Sequence, residues 1–472
     1  MVFSSNVFLI LFLPIFLVCY FACPARWRNL VLLLFSIVFY AYGAPTFILL
    51  LLGSTVINFY LVKWLYKTDN LAHKKLFAGL AITVSLGLLG YFKYANFFVD
   101  NLNALLAAFG LQPFTFAKVL LPIGISFFTF QSITYVVDTY RNVHKPMERL
   151  TDYMLYILMF PQLIAGPIVR YCDIADEIRH REQNWSEILQ GFYRFVIGLC
   201  KKVLIADVIG RQVDILLAGD LLTMGTGTAW ITIIAYSMQI YFDFSGYSDM
   251  AIGLGKIMGF HFPENFDNPY NSASIHEFWK RWHITLGIFM RNYLYIPLGG
   301  NRCSKPRMYF NLWIVFLLSG LWHGASWNYV LWGAYHGFWL ILERIGLGKV
   351  YEKMGKSPSV IITYIIVLVG LAIFRNENLT DAFTLISRMF TFDFQSFIPI
   401  QSPHFYVTLA IALVFAFIVL FPFGKKLQNR VFYTDFPKRQ HLAAWSISMF
   451  LLIFCLASLN ATGFSPFIYF RF

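Results

Sequence analysis

The sequence is poor in charge. Asp, Glu, Lys and Arg make up 13% of its 472 residues, where a soluble domain carries about a quarter. Acids are scarcer than bases, 24 against 37, which leaves a formal charge of +13. Several catalytic signatures are missing too. The chain has no G-x-S-x-G elbow, no H-E-x-x-H pair and no G-x-x-x-x-G-K-[ST] loop. Zinc hydrolysis and phosphoryl transfer of those kinds therefore have no support. The six cysteines (19, 23, 172, 200, 303 and 455) are scattered without metal or disulfide spacing, so they are expected to be lipid-facing or core residues and no metal site is expected. There is no internal repeat, which weighs against many secondary transporters, and no low-complexity tract.

What the chain has instead is apolar length. It is 58% hydrophobic and 19% aromatic. Apolar runs cover residues 7–23, 30–42, 47–64, 77–92, 119–137, 192–206, 229–244, 312–330, 360–374, 405–423 and 442–459. Many approach the length of about 20 residues that a membrane-crossing helix needs. A transmembrane β-barrel would show short alternating segments instead. The expectation is an all-α polytopic membrane protein with about 10–12 transmembrane helices. The first apolar run has no basic residues before it; Arg26 and Arg28 follow it. That order is the reverse of a cleavable signal peptide, so it reads as a permanent first helix.

Basic residues cluster at 26–28, 63–75, 141–149, 280–307, 344–356 and 425–439, whereas connections such as 42–46 and 376–403 hold few. Loops rich in Lys and Arg face the cytoplasm. The positive charge is therefore expected to mark topology rather than a nucleic-acid partner. Following the clusters along the chain puts both termini outside and requires an even number of crossings. Helix four leads out to a longer connection, 94–113. The middle, 153–311, divides less cleanly. Residues 154–168 are interrupted by Pro161, Gly166 and Pro167, and 260–297 is amphipathic and charged. Both suit re-entrant or interfacial segments, which are tolerated where protein or a water-filled cavity covers them.

Four polar-aromatic stretches break the apolar pattern: "LPIGISFFTFQSITYVVDTYR", "MFPQLIAGPIVRY", "FWKRWHITLGIFMRNYLYIPLGGNR" and "SGLWHGASWNYVLWGAYHG". The first places Gln131 and Asp138 in a span. The last holds His323 mid-span between Gly320 and Gly324, with Ser326 and Asn328 available to line a polar cavity. A single intramembrane histidine is most simply a helix-bridging hydrogen bond. The glycines and the polar neighbours favour a functional reading here, since ionisable groups in hydrocarbon are costly and tend to be functional. A neutral imidazole is the usual general base near neutral pH. His336 lies 13 residues on, about 20 Å along a continuous helix, so any partner of His323 should come from elsewhere in the chain. His283, in the amphipathic "KRWH", is the best candidate. From Phe278 to Arg307 there are six Lys or Arg, Arg281 and Arg302 among them, and no acid. Positive-inside topology accounts for such a run. A cytoplasmic mouth for a phosphorylated donor would use the same guanidinium forks.

Taken together, these stretches resemble the membrane-bound O-acyltransferase family, and within it the bacterial alginate O-acetyltransferase branch. The opening "MVFSSNVFLILFLPIFL", the runs containing His283 and His323, "FRNENLTDAF" and the terminal "FIYFRF" carry the likeness along nearly the whole chain. The D-alanine transfer protein of teichoic acid synthesis shares, more distantly, an R-W-H segment followed by W-H-G. The resemblance implies that His323 is the essential histidine and His283 the second one. It implies one integral membrane domain: N-terminal helices at 1–115, a catalytic core at 116–345 with a tunnel thinnest near His323, and C-terminal helices at 346–472. Trp322, Asn328, Arg281 and Arg302 are expected to contact substrate. No bound cofactor is expected; the acyl donor would be a cytoplasmic thioester, acetyl-CoA or an acyl carrier. The acceptor hydroxyl would approach from the periplasmic side of a bacterial inner membrane, where a partner protein completes delivery to an exported polysaccharide. An alginate-like polymer is favoured, with peptidoglycan or cellulose as alternatives. A polysaccharide transporter or a scaffold for the periplasmic partner would explain the spans but not the R-W-H and W-H-G pair. A reporter fused after Phe472 that fluoresces only in the cytoplasm is expected to stay dark. A bright signal would contradict the even number of crossings.

Overall fold

The computed structural model describes residues 1–394, 402–463 and 466–468. Most of the terminal "FIYFRF", and with it the expected external C-terminus, lies outside the described residues. The described chain is helical, and its only β pairing is an isolated antiparallel bridge between Phe266 and Trp282. It divides into two compact units, Met1–Gln183 with Gly259–Pro263, and Asn184–Met258 with Glu264–Phe472.

In the first unit the helices include α1 (Val7–Ala22), α2 (Arg28–Gly43), α3 (Ile48–Lys67), α4 (Leu71–Ala108), α5 (Ile125–Tyr140) and α6 (Leu150–Leu158). Phe8, Phe12 and Phe16 recur every four residues along α1, so they fall on one face. There they close on Phe39 and on Phe160, whose ring meets those of Phe12 and Phe16 edge-on at 5.4 and 5.2 Å. Pro14 has no N–H to donate, and it sits just after the π-wound first turns Val7–Phe12, where the ladder changes register. α3 and α4 share a buried bond from Asn58 Nδ2 to Ser85 Oγ at 3.0 Å, the kind of polar contact that ties helices together in lipid. Two expectations need correction. α4 continues to Ala108, so the connection to α5 covers residues 109–124 rather than 94–113. The apolar run 119–137 is helical only from Ile125, because Pro122 and a left-handed Gly124 (φ +77°) precede it. A Cβ at Gly124 would stand 2.7 Å from the Leu163 carbonyl oxygen. Residues 154–168 are interrupted as expected, into α6, the short turn Phe160–Leu163 and irregular chain. Gln131 and Asp138 are buried on α5.

In the second unit, residues 185–218 form one long helix, α7, with a π-wound segment at Lys201–Ala206. The helices that follow include α8 (Thr226–Met258), α9 (Ile275–Arg281), α10 (Ile284–Phe289), α11 (Lys305–His323), α12 (Trp327–Leu342), α13 (Lys356–Arg375), α14 (Leu379–Met389), α15 (Pro403–Phe417), α16 (Pro422–Phe432) and α17 (Lys438–Thr462). α7 and α8 touch backbone to backbone. A Cβ on Gly191 would lie 2.6 Å from the Gly253 carbonyl oxygen, and one on Gly198 would lie 2.5 Å from that of Gly246. Charged pairs flank the seam. Lys202, 1% exposed, holds Asp207 at 2.7 Å and Asp243 at 2.5 Å, and Asp249 binds both Arg194 and Lys201. Buried charges persist only when paired in this way.

The apolar run 312–330 is not one span. α11 ends at His323, the chain turns through Gly324–Ser326, and α12 runs back beside it. The hairpin is again a glycine seam. A Cβ on Gly320 would lie 2.1 Å from the Tyr329 carbonyl oxygen, one on Gly333 would lie 2.3 Å from that of Phe316, and Tyr329's ring covers Gly324. Across both units five helices are long and apolar enough on their own to cross a membrane: Pro45–Lys67, Leu71–Ala108, Lys356–Arg375, Pro403–Leu420 and Lys438–Ala461. Large exposed apolar side chains, Phe450 and Ile453 on α17 among them, suit a lipid surround. The chain is an all-α polytopic membrane protein. Gly333→Val should overpack the hairpin, a defect worth about 1–3 kcal/mol, and lower the melting temperature in detergent by several degrees. Gly87→Val on α4, where nothing lies within 4 Å of the added Cβ, should leave it unchanged. Equal melting temperatures for the two variants would show that the seam is not tight.

Candidate active site

His323 is the last residue of α11, 5% exposed. Its ring stands edge-on to Trp332 at 5.1 Å and to Phe374 of α13 at 5.3 Å. Trp332 is also 5.0 Å from His336. Because the chain reverses at Gly324–Ser326, the two imidazoles flank one indole, and both line a narrow crevice with Tyr270, Phe278, Trp279 and Leu371. The expected separation of about 20 Å assumed a continuous helix and does not hold. His336 is 2% exposed, and the backbone of Gly370 on α13 passes close to its ring. Its Nδ1 has no hydrogen-bond partner among the described residues.

His283 sits at the junction of α9 and α10 with φ +47°, a left-handed conformation in which histidine is over-represented among non-glycine residues. It is 1% exposed. Burial pushes its imidazole down to about 3, so the ring is neutral at physiological pH. It meets Phe244 of α8 edge-on at 4.8 Å. Trp322 lies between the two expected histidines, 6.0 Å from His283 and 4.8 Å from His323. The R-W-H and W-H-G segments are thus brought together through one tryptophan.

The other expected residues fall elsewhere. Asn328 does not face the crevice. Its Nδ2 donates to the Asn376 carbonyl at 2.8 Å just beyond α13, where helix-end carbonyls lack partners. Ser326 caps α12, accepting from the Asn328 N–H at 3.3 Å. Gly320 and Gly324 leave no room for a substrate, because Tyr329 occupies that space. Arg281 pairs with Glu277 at 2.8 Å, and Arg302 is exposed in the loop before α11; neither lines the crevice. Two cations, Arg344 and Lys356, do line a second pocket, of about 540 Å³, beside His276, Ser274, Glu343 and Glu352. The Glu343 carboxylate accepts from the N–H groups of Ile275 and His276 at 2.5 and 2.9 Å and so anchors the start of α9. The same two helices border both cavities: α9 through Phe278 and His276, α12 through His336 and Leu340. His336 and Trp332 were not predicted as site residues. The signal that would have found them is the glycine-rich break after His323, which folds the motif back on itself.

These features define an integral membrane protein with a histidine site enclosed among its helices and walled by tryptophan. Residues 107–347 match the membrane-bound O-acyltransferase family, and the chain belongs to that family. A "probable alginate O-acetylase" of Pseudomonas aeruginosa is 45% identical over 93% of this chain and 84% of its own length. The protein of that name in Azotobacter vinelandii is 40% identical over the whole of both chains. A peptidoglycan O-acetyltransferase of Helicobacter pylori is 37% identical over 82% of this chain and 80% of its own. The protein is therefore a membrane acyltransferase. With His336 in the crevice, His336→Gln at normal membrane abundance should cut acyl transfer roughly ten- to a hundredfold, the cost of misplaced reacting groups. A wild-type rate would show that this crevice is not where the acyl group passes.

Proposed function

We propose that the protein transfers acetyl from a cytoplasmic thioester to a hydroxyl on the far side of the bacterial inner membrane, for O-acetylation of an exported polysaccharide. The observation that carries this reading is the pairing of His323 and His336 across Trp332 inside a buried crevice. The crevice is walled by aromatic side chains and holds an imidazole where a base is needed.

In the proposed step His323 accepts the proton of the acceptor hydroxyl as its oxygen attacks the thioester carbonyl. The C–S bond then breaks, and the leaving thiolate takes up that proton. Coenzyme A is the favoured donor over an acyl carrier protein. The pocket that holds Arg344 and Lys356 adjoins the crevice along α9 and α12 and offers two cations for its phosphates, beside Glu343 and Glu352. Arg281 and Arg302, in the basic run, would add to the local positive field. The identities with alginate O-acetylases support an alginate-like acceptor; the Helicobacter relative keeps peptidoglycan as the second reading. A periplasmic protein would complete delivery to the polymer, and both termini would lie on that side.

His323→Gln roughly preserves size and polarity while removing the base, a contribution worth about 10²–10⁴-fold in rate. Purified protein should show that loss in thioester turnover at unchanged melting temperature. Near-normal turnover by the variant would overturn the assignment of His323.

A further inference from the structure

His283 is held by a residue outside both histidine motifs. Asn265 lies 18 residues upstream and is fully buried. The two stretches zip together. The Asp267 N–H donates to the Arg281 carbonyl at 2.9 Å, Phe266 bridges Trp282, and the Ile284 N–H donates to the Asn265 carbonyl at 3.0 Å. The left-handed turn at His283 then brings its Nδ1 to 3.0 Å from Asn265 Oδ1.

The rest of the amide's surroundings decides where the protons are. Oδ1 lies 3.4 Å from the backbone N of Thr285 and accepts from its hydroxyl at 2.9 Å, while Nδ2 donates to Ser248 Oγ at 3.1 Å. A backbone N–H can only donate, so the amide atom facing Thr285 and His283 is the oxygen. An oxygen at that distance requires His283 Nδ1 to carry the proton. In the neutral ring Nε2 then bears the lone pair.

We propose that Asn265 is a positioning residue for acyl transfer: it locks His283 in the Nδ1–H tautomer, so that Nε2 accepts a hydrogen bond from a donor group of the bound substrate. This rests on His283 being part of the acyltransferase site. The elements packed against the ring contribute Phe244 and Ser248 from α8, Asn265 and Phe266, Thr285 from α10 and Trp322 from α11. None is charged. The charged groups along these segments are engaged, Asp243 by Lys202, Asp249 and Glu264 by Arg194, and Arg281 by Glu277 and Asp267; His323 lies beyond Trp322.

The test reads the titration of His283 itself, in protein with ¹⁵N-labelled imidazoles, beside thioester turnover. Asn265→Asp keeps an oxygen toward His283 and Thr285 but adds a negative charge, which favours the imidazolium by about one unit or more. The proposal expects the His283 signal to titrate at least that far higher than in the unsubstituted protein, with turnover lost where that ring is protonated. An unmoved His283 titration in a folded Asn265→Asp variant would overturn the proposal. A second measurement needs no variant of Asn265. In protein with ¹⁵N-labelled imidazoles, the histidine signal that disappears in His283→Gln should report a protonated Nδ1 and a bare Nε2. A protonated Nε2 would overturn the assignment even if Asn265→Asp fails to fold. Both readouts are separate from His323: undiminished turnover in His323→Gln would sink the base assignment and leave the tautomer as it is.

Discussion

A polar reacting group inside a hydrocarbon slab must be enclosed by protein, and the enclosure depends on how closely helices can approach. In the second unit that approach is set by glycine. Gly320 and Gly333 let α11 and α12 touch backbone to backbone. The reversal at Gly324–Ser326 then brings Trp332 against His323 and keeps His336 on the same crevice. With any larger residue at those positions the two imidazoles would no longer flank one indole.

The same device recurs where α7 meets α8. Gly191 and Gly198 face Gly253 and Gly246, and the pairs Lys202–Asp243 and Arg194–Asp249 cross the contact at 2.5 and 2.6 Å. Removing one member of a buried ion pair typically costs about 3–5 kcal/mol, because it strands the other charge. Asp243 also accepts the Ile468 N–H at 3.0 Å, which ties the far end of the described chain to α8. α8 in turn carries Ile240 into the crevice wall and Ser248 to Asn265. The charges hold the frame, and the histidines sit on it.

Much of this was legible in the residues. Apolar length and sparse charge gave the all-α membrane class. The interruptions at Pro161, Gly166 and Pro167 marked the broken segment after α6. The segments around His283 and His323 marked the family, and the structure joins them through Trp322. What was not legible depends on tertiary geometry. Apolar periodicity looks the same for one span and for half of a hairpin, so the break after His323 was missed and His336 was set aside. A short polar side chain can line a cavity or cap a helix, and only the neighbouring backbone shows that Asn328 and Ser326 belong to helix ends. The Asn265–His283 bond joins residues 18 apart across irregular chain and a left-handed turn, where the periodicity of a helix or strand does not decide which side chains meet.

In the proposed reaction both halves take place in one enclosed crevice, and the acyl group crosses from the thioester side to the hydroxyl side. The most direct measurement reconstitutes the protein in sealed vesicles, with radiolabelled acetyl-CoA confined to one compartment and a soluble oligosaccharide acceptor to the other. The account predicts acetyl ester on the acceptor in the opposite compartment, with coenzyme A retained on the donor side and no free thioester crossing. Label transferred only to acceptor sharing the donor's compartment would contradict it.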